Sequence, residues 1–185
     1  MKYFVKGFFG LLCLVGVCFG VRFESLVEAR KNNRVKAFLD VIAYAEGTFD
    51  AGILGYSLRY PYQWFRGYDK HPGVIEFKRK SGELKRSSAA GRYMFLQSTW
   101  NGLEKQYGFA DFKPFNQDLG AIALLYENDA VEDIVQGRFA QAINKTNKTW
   151  APFPGAPYGQ TNTTMAELQK FFNDRSVFYA RGGVA

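Results

Sequence analysis

The chain has 17 acidic residues, two thiols (Cys13 and Cys18) and one imidazole (His71) with which to do proton or nucleophile chemistry. That inventory excludes a good deal. Two cysteines and one histidine are too few for a zinc site built from those types, and they provide no disulfide framework. A Ser-His-Asp triad would have to use His71. Proton transfer therefore falls to carboxylates, and Glu46 has the most suggestive setting. It lies in AYAEGT, at the last turn of an expected amphipathic helix, after Ala43, Tyr44 and Ala45 and with no basic neighbour nearby in sequence. The negative end of the helix dipole and apolar surroundings both disfavour a charged carboxylate there. Its pKa should rise, which keeps the proton available for donation by a general acid. The competing reading is an exposed glutamate that merely ends a helix, and the local residues leave both open.

The elements that must hold Glu46 are mostly helical, with one small β-region. Leu26, Ala29, Val35, Phe38, Leu39, Ile42 and Ala45 follow a helical stripe over residues 22–45, as two segments joined at Asn32-Asn33. Gly47 is placed to stop the second segment. Residues 50–73 are aromatic, rich in Gly and Pro and without period, and read as a structured loop. Residues 74–79 and 83–87 alternate around Ser81-Gly82 and predict a hairpin. Three or four helices are expected near 96–107, 116–127, 130–147 and 164–173, with Pro152, Pro154 and Pro157 forming a rigid loop before the last. At 185 residues with 18 Phe, 11 Tyr and 3 Trp, there is material for one well-filled domain, and intrinsic disorder is excluded.

The first twenty residues stand apart. Lys2 and Lys6 precede the apolar run GFFGLLCLVGVCFGV, and no acidic residue occurs before Glu24. This is the layout of an export signal over residues 1–21, followed by a domain over 22–185. Fifteen apolar residues, four of them glycine, are short of the roughly 20 that a membrane span needs. Cleavage and retention as a loosely inserted anchor both remain open, so the expected location is the periplasm, free or tethered to the inner membrane. Removing residues 1–20 would take away two positive charges from +7, leaving +5, and both cysteines. The exported part would then have no thiol to oxidise.

Other side chains are weighed against plainer roles. Trp100 and Trp150 sit at helical positions and read as core, whereas Trp64, in the irregular loop, is the better surface candidate. His71, before Pro72, reads as a turn residue. Lys78, Arg79, Lys80, Lys85 and Arg86 bracket the hairpin turn without the interleaved aromatics that stack on bases. They suit an anionic envelope polymer or lipid surface, or simply a solvated hairpin; nucleic acid is not an expected partner.

Residues 34–173 resemble the phage lambda endolysin family. The resemblance rests on ordered blocks: KAFLDVIAYAEGT (with Ala45 where the family has serine), Gly55-Tyr56, YDKHPGV, SSAAGRYMFL, GFADFKPFNQDLGAIAL, GRFAQAINKTNKTWA and PGAPYGQ. It implies an α+β, mainly α, lysozyme-like two-lobed domain with a small β-hairpin beside the cleft. It also implies a lytic transglycosylase that needs no metal or other cofactor and acts as a monomer on peptidoglycan glycan strands. Glu46 would be the single catalytic acid, and Tyr93, Tyr158 and Gln160, with Trp64, would contact substrate. In this family no second carboxylate is needed, because the muramic acid C6 hydroxyl attacks its own anomeric carbon; Asp50 and Asp69 are the only nearby acids in sequence that could make the chain a two-carboxylate hydrolase instead. Met94 replaces the glutamine that relatives usually place after Gly-Arg-Tyr, exchanging a hydrogen-bonding amide for a thioether that mainly packs. That change is the best support for the other alternative, a wall-binding protein without turnover.

Overall fold

The computed structural model describes residues 15–159 and 163–184. Most of the expected export signal, including Cys13, and the expected substrate contact Gln160 lie outside the described residues. Helix α1 (Val15–Lys31) runs on past residue 21 without a break.

The joint expected at Asn32-Asn33 is present, and its cause is a side-chain cap. Asn32 leaves the helical conformation, and its Oδ1 accepts from the amides of Arg34 (2.9 Å) and Val35 (3.3 Å). Helix α2 (Asn33–Ala45) starts there and is the central rod of the molecule, burying an unbroken run from Ala37 to Ala43. A helix buried all round must have neighbours on several sides. Helix α7 (Met165–Ala180) lies along it, opened by a reciprocal cap between Thr164 and Glu167. Phe38 of α2 meets Phe139, Phe153 and Phe172 at ring-centroid distances of 5.8, 6.2 and 6.2 Å. A second aromatic cluster forms around the fully buried Trp100, 4.6 Å from Phe112, 5.2 Å from Phe95 and 5.5 Å from Phe109. Trp100 and Trp150 are both core, as their positions suggested.

Helices α3 (Gln97–Tyr107) and α4 (Pro114–Glu127) match two expected segments to within two residues. The expected helix over 130–147 is two helices, α5 (Val131–Gln136) and α6 (Phe139–Thr146), because Gly137 turns left-handed at φ 77°. The last helix runs seven residues past its expected end at 173, and Tyr179 explains why: it is buried and its hydroxyl donates to Asp40 at 2.8 Å. The region read as loop contains a 3-10 helical segment, Phe49–Ser57, and two very short strands, β1 (Leu58–Arg59) and β2 (Gln63–Trp64), paired antiparallel. The expected hairpin is β3 (Ile75–Lys78) with β4 (Leu84–Ser87), in register from Ile75–Ser87 to Lys78–Leu84.

Two buried carboxylates tie these elements together. Asp40 of α2 accepts from Arg92 (2.9 Å), Arg175 of α7 (2.7 Å) and Tyr179 (2.8 Å). Asp118 of α4 accepts from Arg30 of α1 (2.8 Å), Tyr56 (2.7 Å) and Tyr93 (2.7 Å). Removing one member of a buried ion pair strands its partner's charge in the interior. Asp40→Asn should therefore destabilise the fold by roughly 3–5 kcal/mol in denaturant unfolding; a loss below about 1 kcal/mol, the range of exposed pairs, would show that Asp40 is not structural.

Candidate active site

Helix α2 ends where the sequence suggests. Glu46 is its C-cap residue, with its amide donating to the Ile42 carbonyl at 2.9 Å, and Gly47 follows at φ 71°. The next residue, Thr48, is fully buried and holds the turn from two sides. Its amide donates to the Ala43 carbonyl (2.8 Å), and its hydroxyl reaches the Arg92 carbonyl (2.6 Å). The end of α2 is thus fastened to the segment 89–95. Arg92 continues the connection, donating from Nη1 to the Gly52 carbonyl (3.1 Å) and from Nη2 to Asp40. On the other side, its amide donates to Gln117 Oε1 (2.9 Å), whose amide nitrogen donates to the Tyr56 and Phe112 carbonyls. Gly91 has to be glycine here: it sits at φ 79°, and a Cβ would lie 2.3 Å from Gln117 Oε1.

Glu46 is half-buried, and burial pushes its carboxyl up from 4.5 to about 8. Among the described residues no lysine or arginine pairs with it. Asp50 and Asp69, the acids that a two-carboxylate mechanism would call on, are both exposed. The group that does feel Glu46 is Tyr62, in the turn between β1 and β2. Its hydroxyl donates to the Glu46 carbonyl at 3.3 Å, and its phenol is pushed up by burial and by the Glu46 carboxylate. The arrangement is a neutral carboxylic acid at the end of a rigid helix near neutral pH, without a cation to discharge it: the setting of a general acid.

The residues 36–177 match the family model described as Endolysin. Among curated relatives, the endolysin of Escherichia phage lambda is 39% identical over 134 residues, covering 70% of this chain and 82% of its own. The endolysin of Escherichia phage P2 is 34% identical over 151 residues, covering 74% and 89%. Among solved structures, bacteriophage lambda lysozyme complexed with a chitohexasaccharide superposes with a TM-score of 0.71 at 33% identity, over 83% of this chain and 97% of that one. The chain belongs to the endolysin family. Its fold is lysozyme-like and mainly helical, and it is a lysozyme-like enzyme acting on peptidoglycan.

Within this endolysin fold the expected substrate residues have different fates. Trp64, at the end of β2, is 58% exposed, and Tyr158 is 54% exposed with its hydroxyl donating to the Lys148 carbonyl at 3.0 Å. Tyr93 needs correcting as a contact residue: only 2% of it is exposed, and its phenol is committed to Asp118. The bond to Asp118 draws this ring into the core. Met94, next in line, is half-buried at φ 49°. His71 is buried and fully used. The Gly73 amide donates to its Nδ1 (3.1 Å), so Nε2 carries the proton and donates to the Phe95 carbonyl (3.0 Å), and burial lowers its pKa. The basic hairpin is partly neutralised by exposed pairs of Arg79 and Lys85 with Glu83 and of Arg86 with Glu76. Sequence reasoning missed Thr48, Arg92 and Tyr62. For the first two, the Glu-Gly-Thr and Gly-Arg-Tyr blocks were visible but not their mutual bond; Tyr62 had no signal beyond its place in an aromatic, Pro-containing stretch.

The raised pKa of Glu46 has a consequence for stability. In the native chain the proton is held up to about pH 8, while the unfolded chain releases it near 4.5. The stability contributed by neutral Glu46 is fully present below the lower value and is lost as pH rises through the upper one. Glu46→Gln, neutral at every pH, should match the parent in melting temperature near pH 4 and exceed it increasingly up to pH 8–9. A difference that stays flat with pH in thermal unfolding would show that Glu46 is not desolvated.

Proposed function

We propose that this chain is a peptidoglycan lytic transglycosylase with Glu46 as its only catalytic acid. The observation that carries the reading is the half-buried Glu46 carboxyl at the end of α2, kept neutral by burial and paired with no lysine or arginine among the described residues. A glycan strand of alternating N-acetylglucosamine and N-acetylmuramic acid is the substrate class. The likeness to a lysozyme complexed with a chitohexasaccharide supports glycan binding by this chain too. Glu46 gives its proton to the glycosidic oxygen as the bond from the muramic C1 breaks. The muramic C6 oxygen closes on C1, and its own proton passes to the Glu46 carboxylate, restoring the acid. No water is consumed, and the product ends in a 1,6-anhydro sugar. A hydrolase would instead need a protein carboxylate to attack C1 or to activate water, and the candidates for that role, Asp50 and Asp69, are both exposed.

Mass spectrometry of products from purified peptidoglycan tests this directly. The expected fragments weigh one water less than hydrolysis products. Glu46→Gln should fold and lose activity by roughly 10²–10⁴-fold or more, while Asp50→Asn and Asp69→Asn keep most of it. Reducing-end sugars, with Asp50 or Asp69 as essential as Glu46, would assign a hydrolytic muramidase. Wall binding with no product would leave a non-catalytic binder.

The enzyme reaches this substrate, in our reading, by export through residues 1–21, to the periplasm or to the periplasmic face of the inner membrane. Fusing residues 1–25 to a reporter that functions only in the periplasm should give signal in a bacterial host. Absence of translocation would make the apolar start part of the fold.

A further inference from the structure

The turn joining β1 to β2, Tyr60-Pro61-Tyr62, is anchored from behind and presents aromatic rings toward the end of α2. Behind it, the Tyr60 amide donates to the Ala89 carbonyl (2.9 Å), and Arg59 donates to the Gly73 carbonyl (2.9 Å). In front, the hydroxyl end of the Tyr62 ring lies against Gly47: a Cβ on that glycine would be 3.0 Å from the Tyr62 hydroxyl and 3.5 Å from Cζ. The ring is therefore in contact with the residue that follows the catalytic acid and is bonded to the carbonyl of the acid itself. From Tyr62 the aromatic surface continues to Tyr60 (centroids 6.1 Å) and on to Phe77 of β3 (5.3 Å). It thus runs from Glu46 to the β3–β4 hairpin.

Packing alone does not account for Tyr62. It adopts φ 60°, a left-handed conformation that a bulky side chain rarely takes and that glycine would take without strain. Its ring remains 55% exposed, so the strain is not offset by deep burial. Tyr60, at 37% exposure, likewise faces outward. The exposed Tyr62 and Tyr60 rings, tilted against each other at 61° beside a general acid, suit the C–H faces of pyranose rings, with phenol hydroxyls available for acetamido and ring hydroxyl groups.

We propose that Tyr62 and Tyr60, with Phe77 behind them, form a sugar-stacking platform that carries a ring of the glycan strand next to Glu46. The platform rests on the glycan-cleaving reading of the site and adds to it the residues that grip the strand. The hydroxyl of Tyr62 steadies the turn at Glu46, while its face carries the contact.

The test is titration of the full chain with an N-acetylglucosamine hexamer, the kind of oligosaccharide with which bacteriophage lambda lysozyme is complexed in its solved structure. Tyr62→Ala and Tyr62→Gly should each weaken binding about tenfold, and Tyr60→Ala by several-fold. Tyr62→Phe keeps the face and should stay within about threefold of the parent. Tyr62→Gly separates recognition from folding: with the left-handed strain removed, its melting temperature should equal or exceed that of the parent while affinity falls. On peptidoglycan, KM should rise more than kcat falls. Hexamer affinity within about twofold of the parent for both Tyr62→Gly and Tyr60→Ala, or no hexamer binding by the parent chain, would overturn the platform. The two readings fail separately. Weakened hexamer binding in the variants, with a parent that yields only reducing-end products, keeps the platform and removes the transglycosylase; anhydro products with unchanged affinity and KM in the variants do the reverse.

Discussion

Asp40 is a negative charge buried in the middle of the central helix, and much of the architecture follows from the need to neutralise it. An isolated carboxylate in a protein interior is unstable unless cations and hydrogen-bond donors surround it. Arg92 comes from the turn after the β3–β4 hairpin, and Arg175 and Tyr179 come from the last helix, 135 and 139 residues away in sequence. Meeting this one requirement fixes where the final helix lies and where the Gly-Arg-Tyr turn enters. The second hub, at Asp118, does the same for α1, the 3-10 segment and Tyr93. The aromatic clusters then supply the burial that makes a domain with two such charges stable.

Glu46 is the counterpart of Asp40 on the same helix, six residues on, and receives the opposite treatment. No cation is brought to it, and burial alone shifts its equilibrium toward the neutral acid. The difference is positional. Arg92 spends its guanidinium on Asp40 and the Gly52 carbonyl, and only its backbone carbonyl serves the Glu46 turn, through Thr48. One residue thus compensates the structural acid and fixes the geometry of the chemical one without lowering its pKa. A carboxyl treated this way costs stability wherever pH would charge it, a cost that the role we propose for Glu46 would justify because that role needs the proton kept.

What could be read in the sequence was whatever has a local cause. The break at Asn32 is a side-chain cap, the end of α2 is a glycine, and the β3–β4 turn is a Ser-Gly pair; each is a short-range rule acting on a few residues. Glu46 was legible for the same reason, from its place at the end of an apolar helix. Two of the failures have distant causes. The last helix is prolonged because Tyr179 finds Asp40, and Tyr93 faces inward because its hydroxyl finds Asp118. Gly137 is a different failure, since a lone glycine inside a helical pattern can be tolerated or can break it, and here it breaks it.

The site is concentrated where such rules are overridden. Within two residues of Glu46 there is a left-handed glycine and a fully buried threonine, and against that glycine lies a tyrosine in a left-handed conformation of its own. Gly47 and Tyr62 are complementary: the phenol can approach the end of the helix this closely only because the glycine has no side chain, and a Cβ there, 3.0 Å from the hydroxyl, would push the phenol off the Glu46 carbonyl. Local propensity would have put glycine at both positions. That tyrosine occupies the second, exposed and strained, moves the question from what the fold needs to what reaches the acid. Departures from local consistency gather where structure has been given over to function, and on this surface they gather around one carboxyl group.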